Sequence, residues 1–140
     1  MREREKVLSV VREWVLKAEN DFKTAVHTLK LAQQCPTDTV CFHAQQCVEK
    51  YVKAMLVLKR IDFPKTQDLE KLGALLPARV RGMLTTKEQQ RLTDYATGAR
   101  YPGGGEIALL EARQAVAIAR RVRSEMRNVL PKEALLPRRK

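Results

Sequence analysis

The chain has 140 residues and a formal net charge of +11, from 27 Lys and Arg against 16 Asp and Glu. This length gives one domain that can bury a core without disulfides or metal. The charge points to polyanions, nucleic acid first, with a plain basic surface as the alternative. Aromatic residues are only 5%, which disfavours a β-sandwich and favours an aliphatic helical core.

The first helix is expected over about residues 3–34. Val11, Trp14, Ala18, Phe22, Ala25, Leu29 and Ala32 recur at spacings of three and four, which places Trp14 in the core. Arg12, Lys17, Glu19, Lys23 and Lys30 fill the other face. His27 has no partner in sequence and reads as a surface histidine. The N-terminal apolar run is too short and interrupted for a secretion signal, and no run approaches the roughly 20 residues of a membrane span. Pro36 ends the helix, because the residue before a proline avoids the α region. Thr37 or Asp38 is then expected to cap the next one.

That next helix, Val40 to Arg60, is the most strongly patterned stretch. At 100° per residue, Val40, Cys41, Ala44, Cys47, Val48, Tyr51, Ala54, Met55 and Leu58 share one wide arc. An arc this wide exceeds a surface stripe and predicts neighbours on two sides. His43, Gln46, Lys50 and Lys53 fall opposite. Gln45, at the arc's edge, needs a hydrogen-bond partner, and Glu49 and Lys53 stand at pairing distance. Phe42 and Leu56 read as spare apolar surface for a second chain. Cys35, Cys41 and Cys47 form an odd set without a C-x-x-C pair. Their spacing, even with His43, fits no zinc template, so they read as buried thiols in a reducing cytoplasm.

Beyond Arg60, Pro64 breaks the chain and Thr66 is expected to cap a short helix with Leu69, Leu72, Leu75 and Leu76 on one side. Residues 77–84 read as a connection. Thr85 and Glu88 stand at capping-box spacing ahead of a helix over 86–97, with Leu92 and Tyr95 inward. The segment TGARYPGGGE follows. Its glycines match neither a P-loop nor G-x-G-x-x-G, and no cofactor motif occurs elsewhere. Arg100 and Tyr101 sit at this break, where they can face a ligand or merely shape the loop. The last helix is expected over 106–130, with Ala108, Ala112, Ala115, Ala119, Val122, Met126 and Val129 inward and Arg113, Arg120, Arg123 and Arg127 outward. Residues 132–140 read as a basic, frayed tail after a single domain of residues 1–131. With no strand-period segment, the expected fold is all-α: an antiparallel up-and-down four-helix bundle with one or two short extra helices.

FHAQQCVEKYVKAML at 42–56, FPKTQDLEKL at 63–72 and ARYPG at 99–103 resemble the HEPN (higher eukaryotes and prokaryotes nucleotide-binding) domain family, in that order and spacing. The resemblance covers about residues 10–130. It implies a helical bundle that pairs as a homodimer, and a nucleotidyltransferase partner in two-part, toxin–antitoxin-like systems. Ribonuclease members of the family carry an arginine followed after four to six residues by a histidine. Arg100 matches the arginine, but Gly105, Glu106 and Ile107 stand where the histidine would be. Gln67 also replaces a histidine often found in the second block. Three readings follow. The first is a non-catalytic module that holds a nucleotide or RNA phosphate with Arg100, Tyr101, His43, Lys50 and Lys53. The second is a divergent metal-independent ribonuclease using Arg100 with Glu106 or Tyr101. The third is a protein-interaction subunit.

Overall fold

The computed structural model describes residues 2–97 and 105–135. Seven α-helices occur among them: α1 Arg2–Leu29, α2 Thr37–Leu58, α3 Leu69–Ala74, α4 Ala78–Arg81, α5 Thr86–Thr97, α6 Leu109–Val129 and α7 Lys132–Leu135. There is no strand among the described residues. The four long helices run up, down, up and down. Asp21 of α1 meets His43 and Lys50 of α2, while Glu19 meets Tyr51, so residue numbers rise on one helix as they fall on the other. Likewise Tyr95 pairs with Glu111, and Glu88 with Arg121, which sets α5 antiparallel to α6. Glu19 and Arg123 tie α6 back to α1. The expected bundle is present, with α3, α4 and α7 as its short additions.

α2 is the bundle's axis. It packs against α1, α6, α5 and α3, and none of its residues is fully exposed. The apolar arc forms the core together with Leu69, Leu72, Leu92 and Met126, which are fully buried. Leu56, expected on the surface, is also fully buried, because α2 is covered on more sides than a two-sided helix would be. Phe42 is half-buried, edge-on to the His43 ring. Trp14 lies half-buried at the rim of the core rather than inside it.

Several boundaries differ from expectation for identifiable reasons. α1 stops at Leu29, and residues 32–34 form a 3₁₀ turn entered through Ala32 at φ 52°. Pro36, not Thr37 or Asp38, occupies the N-cap of α2. The end of α2 is a Schellman motif, with Ile61 N–H donating to Leu56 O and Arg60 N–H to Val57 O. It places Arg60 in the left-handed region at φ 57°. Asp68, rather than Thr66, caps α3 through the Glu70 and Lys71 amides. The Thr85–Glu88 capping box forms in both directions at 3.0 and 3.1 Å. Two expectations are corrected outright. The connection 77–84 contains the one-turn helix α4, which buries Val80. Residues 132–135 of the expected frayed tail form α7, with Ala134 buried and Arg12 donating to the Glu133 carbonyl.

No helix among the described residues is long and apolar enough to cross a membrane.

Candidate functional site

The break between α5 and α6 is framed by paired helix ends. Tyr95, two residues before the end of α5, donates its hydroxyl to Glu111 in the first turn of α6 at 2.5 Å. Burial and this acceptor both push the Tyr95 phenol pKa up, so it stays a donor. Cys41 of α2 lies beside the pair, its thiol pushed up to about 12 mainly by burial and then by the Glu111 charge. The chain re-enters the described region at Gly105, whose φ of 81° suits glycine. Gly105 and Glu106 are exposed and Ile107 half-buried. Arg100 and Tyr101 lie outside the described residues.

The other three candidates are not one open cationic face. His43 and Lys50 converge on Asp21 of α1. The carboxylate accepts from His43 Nδ1 at 2.7 Å through one oxygen and from the Lys50 ammonium through the other. Asp21 is buried and both partners are only partly exposed. Lys53 stands apart. It is 8% exposed and donates to Glu49 at 2.9 Å. Its ammonium also sits over the Trp14 and Phe63 rings at 5.5 and 5.9 Å, a cation–π cradle for a desolvated charge. Glu49 accepts from Gln45 as well, and Gln45 accepts from Gln46, so Gln45 has the partner its position demands. Lys53 is thus a structural cation, while His43 and Lys50 keep a partly open edge beside Asp21.

Sequence reasoning missed a fourth cluster. Glu19 of α1 accepts two hydrogen bonds from Arg123 at 2.6 and 2.7 Å, a bidentate fork, and one from the buried Tyr51 hydroxyl. Arg127 donates to that hydroxyl at 3.3 Å. Burial alone would raise the Glu19 pKa. The Arg123 and Tyr51 hydrogen bonds, with the charges of Arg123 and Arg127, outweigh it and hold the carboxyl below its usual value. The local pattern put Glu19, Arg123 and Arg127 on polar faces and Tyr51 on the apolar arc of α2. Nothing in it could pair residues 104 positions apart.

All three cysteines are free and buried, and the described residues contain no cluster of three or more His, Cys, Asp or Glu able to hold a metal.

An antiparallel all-helical bundle wrapped around one central buried helix defines the fold class. The HEPN domain family model matches residues 11–129, and this chain belongs to that family. A crystal structure of an archaeal HEPN homologue superposes with a TM-score of 0.66 at 22% identity, over 84% of this chain and 95% of the other, a likeness of fold. No curated protein matches the sequence.

Proposed function

We propose that this HEPN domain is a non-catalytic module that binds nucleotide or RNA phosphate at the α5–α6 end of the bundle, as a homodimer. The observation that supports it most is a separation of charge from proton transfer. The family's arginine position is kept in Arg100, yet Gly105, Glu106 and Ile107 lead into α6 without a histidine. The chain's two histidines lie elsewhere, His27 exposed on α1 and His43 bound to Asp21. A guanidinium can still grip phosphate through its fork of donors, but cleavage by general acid–base transfer lacks its second group. Tyr101 supplies a ring for stacking on a base. Leu31 and Leu110, 56% and 64% exposed, sit at the same bundle end, one just beyond α1 and one in the first turn of α6. Their exposure supports pairing of two chains there, and a nucleotidyltransferase remains the partner that the family resemblance implies.

The test is binding of labelled single-stranded RNA and of ATP at two salt concentrations, with Arg100→Ala alongside and the RNA run on a gel afterwards. Salt-sensitive binding that the variant loses, with intact RNA, is the expected result. Affinity that does not change with salt, or that survives in Arg100→Ala, refutes the phosphate site. Cut RNA refutes the non-catalytic reading. Sedimentation of the parent and of Leu110→Lys checks the pairing, which the lysine should disrupt.

A further inference from the structure

We infer that the outer seam between α1 and α6 is a track for a single-stranded polynucleotide, so the ligand is a polyphosphate chain and not a lone nucleotide. The inference rests on the proposed phosphate-binding role only for its starting point. Arg113, Arg120 and Arg127 recur every seven residues on one face of α6. At about 1.5 Å per residue they span about 21 Å. Arg123 lies between them, and α1 brings Lys23 to the same seam, where it lines a cleft of about 380 Å³ with Arg127. The Phe22 ring underlies two of the guanidinium groups, Arg120 at 5.4 Å and Arg123 at 5.0 Å. Two carboxylates, Glu13 and Glu19, also line this cleft, and Glu19 is already engaged by Arg123, Arg127 and Tyr51. Arg113, Arg120 and Lys23 are exposed and have no carboxylate partner among the described residues.

The placement gives the seam a direction. Arg113 stands in the second turn of α6, at the end of the bundle where the α5–α6 break carries Arg100. The seam then leads away along α1 toward α7, whose Ala134 and Leu135 close the far end of the cleft. In sequence the chain continues from there into Arg138, Arg139 and Lys140. Unpaired cations spaced along a groove, with an aromatic ring and planar guanidinium groups between them, are how proteins follow a single strand without reading its sequence. Carboxylates of an acidic protein would satisfy the charges but would not stack on the guanidinium planes of Arg120 and Arg123, so a polynucleotide fits better.

The experiment measures binding of ATP, of RNA and DNA oligonucleotides of increasing length, and of polyglutamate. The proteins are the parent, Lys23→Ala/Arg113→Ala/Arg120→Ala, and a control of equal charge loss around α3 and α4, Lys65→Ala/Lys71→Ala/Arg79→Ala. Affinity should rise with oligonucleotide length in the parent. The seam variant should lose about tenfold or more on long strands and flatten the salt slope by about 2, from three lost phosphate contacts at about 0.7 each. ATP binding should be unchanged in it, and circular dichroism should confirm its fold. Equal loss in the control variant, polyglutamate binding as tight as RNA, or no gain with length would overturn the track. ATP held through Arg100 with no gain from length would leave the phosphate site standing and remove the seam. Length-dependent RNA binding without any ATP binding would do the opposite. RNA and DNA arms that differ would tell which strand the seam accepts.

Discussion

Glu19→Gln tests the electrostatic joint between α1, α2 and α6. Glutamine keeps the shape and can still accept from Tyr51, but the carboxylate charge is lost. Arg123 then loses a bidentate charged partner, and Arg123 and Arg127 face each other without a counterion. Hydrogen bonds to charged groups contribute roughly 1.5–3 kcal/mol when desolvated. Here the Glu19 side chain is 17% exposed and that of Arg123 is 32% exposed, so screening lowers the figure and a total of about 2 kcal/mol is expected. For a domain of this size that is about 6–8 °C in Tm. The pH dependence has a fixed sign. The folded-state pKa of Glu19 is depressed, so its contribution is complete above the unfolded value near 4.5 and is lost as pH falls through the folded one. Thermal melts of parent and variant should therefore differ fully at neutral pH and converge under acid. RNA affinity should move the other way, because removing the carboxylate makes the seam more positive. A Tm change under about 2 °C at neutral pH, or a gap that stays constant into acid, would refute the reasoning.

Other outcomes are as specific. Lys53→Met should cost about 3 kcal/mol by leaving the buried Glu49 carboxylate unpaired, and Glu49→Gln/Lys53→Met should recover much of it, as a denaturant double-mutant cycle will read. Arg60→Gly should stabilise by about 0.5 kcal/mol, the relief of left-handed strain exceeding the added unfolded-state entropy; a fall in Tm would contradict the Schellman geometry. Thr85→Ala should cost about 1 kcal/mol through the lost capping box. The three thiols should resist a thiol reagent until urea unfolds the chain, because burial raises their pKa values; rapid labelling of Cys47 in the native protein would show the core to be looser than described.

What could be read in the sequence was whatever depends on one helix at a time. The 3.6-residue pattern of Val40 to Leu58 located the central helix, and the Thr85–Glu88 spacing located the start of α5. Both are local, and both appear in the structure. Leu56 failed for the converse reason. Its angle on the helical wheel is near the polar side, but α3, α5 and α6 wrap α2 widely enough to bury it, and coverage by neighbours has no local signal. α4 and α7 are single turns, too short to show a period at all.

The same distinction explains the site residues. His43, Lys50 and Lys53 share a polar side of α2 when the helix is considered alone, which made them look like one anion-binding face. The fold divides them. Asp21 is held on the flank of α1 that meets His43 and Lys50, whereas Lys53, one turn on, turns toward Trp14 and Glu49. Cations on the buried axis of a bundle must be neutralised where they stand, since a desolvated charge without a partner costs several kcal/mol. Cations on the outer face of a peripheral helix face no such demand. Arg113 and Arg120 on α6 accordingly have no carboxylate partner among the described residues, which is why the proposed phosphate contacts rest on them and on Arg100 rather than on the lysines of α2.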